Sequence, residues 1–305
     1  MILTVTLNAA LDVTYRLEAV ARHEMNRVEA VASRAGGKGI NVARVLRLLG
    51  EDAAVTGLCG GPTGEVIRRD LEAAALTDHL HPIAAESRRT LALVERSGAT
   101  LLNEPGPEVT PGEWEAFLER YRGLLGLSSA VVLSGSLPRG LPGDAYAVLA
   151  AIAGDGGRPV VLDADGEALR AGLRGRPRMV KPNADELARL FGETSSTDPV
   201  AGLRGLCAAG AETAVVSLGE RGLVALAREG AWTARPPRVM RGNATGAGDA
   251  AVAALTLGLV RGLPWPERLA QAVAVSAAAV LAPVAGEADM RVYRELLPLV
   301  RVEQA

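Results

Sequence analysis

The sequence predicts an α/β protein: a doubly wound, mostly parallel sheet with helices on both faces, and a small β-sheet lying over one edge. Three observations carry this expectation. Short apolar runs of strand length alternate with helical patterns through the middle of the chain, the βαβα rhythm of a parallel sheet. Hydrophobic residues make up 49% of the 305 residues but aromatics only 3%, so the core must be built from Ala, Val and Leu, which suits helices packed on a buried sheet. Two stretches, 13–33 and 88–102, break the rhythm with short alternating strands and no helix between them.

In chain order, residues 2–7 read as a first strand; no basic leader precedes it and Asp12 cuts the apolar stretch short, so it does not resemble a signal peptide. Residues 39–49 form a helix, with Val42, Val45, Leu46 and Leu49 at i, i+3, i+4 and i+7 and with Arg44 and Arg47 off that stripe. A strand at 53–59 and a helix at 64–75 follow. Residues 91–94 and 100–102 pair as a hairpin turning at Ser97-Gly98. Further strands fall at 130–133, 159–162, 179–181 and 214–218, with helical patterns between them. Short runs at 223–227 and 231–233 come next, and everything from Gly246 onward reads as helical. No repeat or linker divides the chain, so residues 1–305 form one domain with lid strands inserted at about 13–33 and 88–102.

The formal net charge of -2 and the absence of Lys/Arg runs argue against a nucleic-acid partner. No apolar run reaches membrane length; the Ala-rich stretch 270–285 is broken by Gln271 and Ser276 and ends at Pro283. Cys59 and Cys207 lack metal-ligand spacing and read as free thiols in a reducing cytoplasm.

Five segments can carry chemistry. In Thr245-Gly246-Ala247-Gly248-Asp249, small residues admit a ligand close to the backbone, and the helix-forming stretch that follows turns its first amides toward an anion. An aspartate there can take a proton from a hydroxyl while the amides hold a phosphoryl group. Alone, the segment is equally well explained as a helix start with a capping acid. It also fits the relaxed dinucleotide fingerprint Gly246-x-Gly248-x-x-Ala251, with Glu267 near the position of the ribose acid. Against that, Pro236, Pro237, Arg238, Arg241 and Gly242 stand where a buried strand should precede, and Asp249 would repel a pyrophosphate.

The second segment, Ala35-Gly36-Gly37-Lys38-Gly39-Ile40-Asn41, is not a GxxxxGK[ST] loop. Glycines again precede a helix, and Lys38 and Asn41 are available to hydroxyls or a phosphate; a flexible turn with a solvated lysine is the other reading. In Val180-Lys181-Pro182-Asn183-Ala184-Asp185-Glu186 a strand ends at Lys181 and Pro182 opens a helical stretch. Asn183 and Glu186, three apart, can hold Mg²⁺ directly or through water, or they can simply cap the helix. Leu133-Ser134-Gly135-Ser136-Leu137-Pro138 and Val216-Ser217-Leu218-Gly219-Glu220-Arg221-Gly222 also follow apolar strands. Such strand ends are where ligands bind in these sheets.

In this order the five segments resemble the signatures of the ribokinase-like (PfkB) sugar kinases over nearly the whole chain. Within that family they resemble the hexose-phosphate branch: 1-phosphofructokinases, tagatose-6-phosphate kinases and minor 6-phosphofructokinases. Gly36-Gly37-Lys38-Gly39-Ile40-Asn41-Val42-Ala43 resembles the first family signature, and Thr245 to Asp249 the second. The resemblance implies a ribokinase-like fold and an ATP-dependent kinase using Mg²⁺. It implies that Asp249 is the base and that the amides of Gly246, Ala247 and Gly248 form the anion hole. Asn183 and Glu186 would place Mg²⁺, while Lys181, Asn183, Ser217, Gly219, Gly222 and Thr245 would meet the nucleotide. Asp12, Gly37, Lys38, Asn41 and Ser136 would hold the sugar. The 13–33 and 88–102 strands would form the lid, through which relatives often pair, so a homodimer is expected.

A phosphorylated sugar needs cationic partners. Lys38, Arg27 on the lid and Arg88 are the candidates; Ser87-Arg88 before a lid strand resembles the phosphate-binding arginine of the branch, whereas Arg89 reads as solvated. Residues 1–8, Asn26-Arg27-Val28 and Thr56-Gly57-Leu58 resemble tagatose-6-phosphate kinases. Leu102-Asn103-Glu104-Pro105-Gly106-Pro107 resembles 1-phosphofructokinases, and the balance inclines to fructose 1-phosphate as substrate and fructose 1,6-bisphosphate as product. The alternative of another class is a non-catalytic sugar-phosphate or nucleotide sensor. Departures from the family pattern, at Asn243-Ala244-Thr245 and in the adenine-side segment Leu281-Ala282-Pro283-Val284-Ala285-Gly286-Glu287, bear on nucleotide preference and not on phosphoryl transfer.

Overall fold

From β1 (Ile2–Thr6) the chain of the computed structural model enters β2 (Ala10–Arg16) and β3 (Ala30–Gly36), then α1 (Lys38–Leu48), β4 (Ala53–Gly60), α2 (Gly61–Ala73) and β5 (Thr77–Ile83). A second excursion, β6 (Arg88–Glu95) and β7 (Gly98–Asn103), precedes α3 (Pro111–Leu125) and β8 (Ala130–Ser134). Next come α4 (Ala145–Asp155), β9 (Val160–Asp163), α5 (Gly166–Gly172), β10 (Met179–Val180), α6 (Ala184–Phe191), α7 (Pro199–Ala208) and β11 (Thr213–Ser217). The chain then forms β12 (Leu223–Ala227), β13 (Gly230–Arg235), α8 (Ala247–Val260), α9 (Trp265–Ala279), α10 (Met290–Leu296) and β14 (Arg301–Gln304). The structure describes residues 1–95, 98–192 and 198–304.

The main sheet has ten strands in the order β14-β13-β12-β11-β10-β9-β8-β1-β4-β5. From β5 to β11 neighbours run parallel, and β12, β13 and β14 are added antiparallel. β1 is buried along its whole length, and its alternating side chains enter two cores. Ile2 joins the core of α1, α2, α8 and α9; Leu3 and Val5 join that of α3 to α7. The helices therefore cover both faces, as the sequence predicts. α8 is buried all round from Ala250 to Leu257 because it lies between other helices and the sheet, and its one polar residue there, Thr256, donates its hydroxyl to the Val252 carbonyl at 2.7 Å.

The lid is a separate four-stranded sheet, β3-β2-β6-β7, in which β2 and β6 run parallel and the outer pairs antiparallel. β7 is exposed throughout, and Val31, Leu101 and Leu102 face solvent. The first lid strand begins earlier than the sequence suggested, at Ala10, the second lid segment begins at Arg88 as expected, and residues 17–29 join β2 to β3 without strand structure. Ser97 of the expected turn lies outside the described residues. Two edge strands escaped the pattern. β5 alternates Asp78, His79 and His81 with apolar residues, and β14 reads Arg-Val-Glu-Gln, so the segment after Gly246 is not wholly helical. Edge strands lack the continuous apolar run that marks a buried strand. Both described cysteines are free, and no helix among the described residues is long and apolar enough to cross a membrane.

Candidate active site

β1 is the point from which the sheet order runs in opposite directions, to β4 and β5 on one side and to β8 on the other. Ligand crevices form at such switch points, outside strand C-termini. Here the ends of β1 and β8, the start of α1 and the first lid residue of β6 enclose a cavity of about 200 Å³, lined by Thr6, Asn8, Gly37, Lys38, Arg88 and Ser136 among others. A larger cavity of about 1080 Å³ adjoins it, and Lys38 and Glu186 line both. Its wall brings together Lys181, Asn183, Ser217, Gly219, Gly222 and the whole Thr245–Asp249 segment.

Asp249 lies in the first turn of α8, 6% exposed, and Asn41 Nδ2 donates to its Oδ2 at 2.8 Å. Burial pushes its carboxyl up to about 7, with the Asp163 charge adding to the rise; the Asn41 hydrogen bond, Lys38 and Lys181 oppose it. The group is thus poised near neutrality, where a general base works best. Gly246 precedes the helix at φ 85°, and a Cβ there would stand 2.8 Å from Ala285 Cβ. Only glycine fits this left-handed, crowded position. The three expected anion-hole amides are not equivalent: that of Ala247 donates to the Ala244 carbonyl at 3.2 Å as part of the turn. The Gly246 and Gly248 amides have no such partner among the described residues.

Lys38 Nζ stands 3.6 Å from Asp163 Oδ1 and 3.7 Å from Glu186 Oε1. Burial works against its charge, yet Asp163, Glu186, Asp249 and Asp165 outweigh that and hold the ammonium above the usual lysine range. Lys181, 3% exposed, reaches the same Asp163 oxygen at 3.4 Å. Asp163 therefore joins two cations at the end of β9, and sequence reading missed it. Its signal was a carboxylate ending the buried run Val160-Val161-Leu162. Thr6 and Asn8 were missed in the same way.

Four expected site groups are placed differently from the others. Asn41 donates through Nδ2 to Asp249 and lines the larger cavity, not the small one. Asn183 and Glu186 form a capping box: Glu186 N–H donates to Asn183 Oδ1 and Asn183 N–H to Glu186 Oε2, both at 2.8 Å. One Asn183 oxygen and one Glu186 oxygen are thereby occupied. Arg27 is exposed on the 17–29 connection and lines neither cavity. Asp12 also lines neither; its carboxylate lies under Gly36, where a Cβ would overlap it at 2.0 Å. Burial lifts Asp12 to about 6, against the pull of Arg88 and the Thr90 hydroxyl. Arg89 pairs with Glu104 at 2.9 Å on the surface.

The pfkB family carbohydrate kinase model matches residues 5–290. A candidate phosphofructokinase of Staphylococcus aureus shares 31% identity, with 100% of this chain and 99% of that chain covered and a TM-score of 0.86. A candidate 1-phosphofructokinase of Thermotoga maritima shares 27% at 100% and 99% coverage and a TM-score of 0.91. Phosphofructokinase-2 of Escherichia coli, in complex with fructose-6-phosphate, shares 26% at 98% coverage of each chain and a TM-score of 0.86.

Proposed function

The chain belongs to the pfkB family of carbohydrate kinases, and from that premise we propose that it moves the γ-phosphoryl group of ATP onto a hydroxyl of a ketohexose phosphate, fructose 1-phosphate first. The observation that carries this reading is Arg88. It is half-buried and lines the small cavity; its Nε and Nη1 make only long hydrogen bonds, to Asn8 O at 3.4 Å and Thr90 Oγ1 at 3.5 Å, and its Nη2 makes none among the described residues, which leaves the fork able to take a phosphate. The match to the Thermotoga protein supports the preference for fructose 1-phosphate; tagatose 6-phosphate and fructose 6-phosphate are the competing acceptors.

In this reading the acceptor hydroxyl loses its proton to Asp249 as its oxygen attacks the γ-phosphorus. The bond from that phosphorus to the β,γ-bridging oxygen breaks, and ADP leaves. The Gly246 and Gly248 amides hold the transferring group's oxygens, and Lys38 offsets charge between the cavities. Among the described residues no cluster of three or more His, Cys, Asp or Glu could hold a metal alone. An Mg²⁺ ion would be carried mainly by phosphates and water, and Glu186, whose Oε1 is outside the helix cap and 3.7 Å from Lys38 Nζ, is the side chain that would help hold it. Bound there, the ion would neutralise triphosphate charge.

The exposed apolar lid residues Met25, Val28, Val31, Leu101 and Leu102 suit a second copy of the chain, and a homodimer is part of the proposal. The functional test is ADP release measured with fructose 1-phosphate, tagatose 6-phosphate, fructose 6-phosphate and the unphosphorylated sugars at low concentration. The highest kcat/KM should fall on fructose 1-phosphate. Turnover of unphosphorylated sugars alone, or binding without turnover across the panel, would sink the reading.

A further inference from the structure

The charged side chains that line the small cavity are Lys38, Arg88, Asp165 and Glu186. Two are engaged with each other: Lys38 Nζ stands 3.7 Å from Glu186 Oε1, and Glu186 Oε2 also accepts the Asn183 amide. Arg88 makes only long hydrogen bonds. Asp165 stands one residue before α5 without capping it, and its carboxylate has no hydrogen bond or ion pair among the described residues. It is exposed, and its charge is felt at Lys38. The cavity therefore holds one unspent cation and one unspent carboxylate.

Strand register sets the distance between them. Val5 pairs with Leu133 and Ser134 with Asp163, so Asn8, Ser136 and Asp165 stand at matching depth beyond the ends of β1, β8 and β9. A hydrogen bond from Asn8 Nδ2 to Ser136 Oγ at 3.0 Å joins the first two. Arg88 Nε donates to the Asn8 main-chain oxygen at 3.4 Å, so the guanidinium is anchored at β1. Asp165 is anchored at β9, with β8 between. Neighbouring strands lie about 4.8 Å apart, so the two anchor points are separated by about 10 Å. A gap of that order admits one hexose monophosphate, and charge decides which way round it lies. A phosphate pairs with Arg88 and is repelled by Asp165. A carboxylate only accepts hydrogen bonds, and the donors of a sugar are its hydroxyls. When a sugar fills the cavity the carboxylate loses water, and a hydroxyl donating to it offsets that loss.

We propose that Asp165 is a specificity-determining residue whose carboxylate accepts a hydrogen bond from the hydroxyl on the ring carbon remote from the phosphate, C4 in fructose 1-phosphate. The inference rests on the ketohexose-phosphate reading above and names the group that reads the far side of the sugar. C4 is also the carbon at which fructose and tagatose differ in configuration, so Asp165 discriminates between them. A site that spends a polar group on a hydroxyl rejects analogues that lack or misplace it, because the group is then left unpaired.

The experiment compares wild type with Asp165→Ala and Asp165→Asn at saturating ATP. The substrates are the sugar phosphate of highest kcat/KM and its deoxy analogue and epimer at the remote ring carbon, C4 for a 1-phosphate and C3 for a 6-phosphate. In Asp165→Ala, kcat/KM for the parent sugar phosphate should fall about thirtyfold and that for the deoxy analogue less than about threefold, so the preference shrinks about tenfold. Asp165→Asn keeps an acceptor oxygen without the charge, and its loss on the parent should be about fivefold. The KM for ATP should stay within about twofold of wild type. Thermal midpoints should stay at the wild-type value, because no cap is lost. A preference for the parent over both analogues that stays within about twofold of wild type in the folded variants would overturn the inference and leave the kinase reading standing. A wild type that turns over none of the sugar phosphates overturns both.

Discussion

The two cavities that meet at Lys38 and Glu186 are built from different material. The smaller is walled by side chains fixed at strand ends, Thr6, Asn8 and Ser136, and by Arg88 from the lid. The larger is rich in glycine, with Gly219 and Gly222 after β11, Gly242, and Gly246 and Gly248 at the start of α8 in its lining. Side chains differ in shape and hydrogen-bonding sense, so they can tell one sugar phosphate from another; amides and glycines grip what all nucleoside triphosphates share. The contrast teaches where substitutions should act. Changes at the junction and at Asp249 should cost rate, changes on the small side should cost sugar affinity, and changes elsewhere on the large side should touch only the nucleotide.

The largest effect belongs to Asp249, which lines the large cavity and in the proposed reaction takes the proton of the sugar hydroxyl. Asp249→Asn should lower kcat by about 10²–10⁴-fold with both KM values nearly unchanged, in steady-state ADP release. In the wild type, with the base near 7, kcat/KM should fall about tenfold per pH unit below that value. Stability runs the other way. The folded-state value is raised above the carboxylate's ordinary 3.8, so its contribution is full below about 4 and is lost as pH rises through about 7. The Asn variant should accordingly melt above wild type at pH 8, with the gap closing by pH 4. Equal melting temperatures at both pH values would contradict the buried, proton-seeking carboxyl.

Lys38→Met comes next. Removing the cation shared by the cavities should cost about 10²–10³ in kcat and raise both KM values. Because Lys38 holds the Asp249 value down, its loss should also move the acidic limb of the pH profile upward. A change in the sugar KM alone would show that Lys38 belongs to one cavity. Arg88→Ala should do what Lys38→Met must not: raise the sugar-phosphate KM by about 10²-fold, as expected for a charge-assisted contact, and leave the KM for ATP alone. Partial recovery in Arg88→Lys would mark charge, and not fork geometry, as the larger part.

Much of the contrast was legible in the sequence. The large cavity's glycine segments are local patterns, and each lies where an apolar strand or a helix start placed it: Gly246 before α8, Gly219 after β11 and Lys38 opening α1. What could not be read was who faces whom. Asn41 meets Asp249 across 208 residues, and Lys38 meets Asp163 and Glu186 from separate elements. Local periodicity carries no information on such pairs. Thr6 and Asn8 were hidden for another reason: one ends the first strand and the other follows it by two residues, and short polar side chains there look like ordinary strand-end content. The lid strands were seen because alternation without helices is itself a local signal, but where Arg27 ends up was not.

Asn183 gives the smallest and most discriminating case, since it stands in the large cavity with two candidate roles. As the N-cap of α6, its oxygen accepts the Glu186 amide at 2.8 Å, and the reciprocal bond ties the Glu186 carboxylate to the helix start. Loss of such a cap costs about 1 kcal/mol, equivalent to a shift of roughly 2–4 °C in a chain of this size. Asn183→Ala should show that shift by calorimetry, with a rise of only about threefold in the KM for ATP because Glu186 loses its tether. Asp and Ser cap as well as Asn, so Asn183→Asp and Asn183→Ser should both restore the melting temperature. If the role is capping alone, both should also restore the Mg²⁺ concentration needed for half-maximal rate. A direct ligand would behave otherwise: the added carboxylate in Asn183→Asp would lower that concentration, and Asn183→Ser would raise it, at equal stability. Divergence of these two variants in Mg²⁺ dependence would move Asn183 from the scaffold of the large cavity into its chemistry.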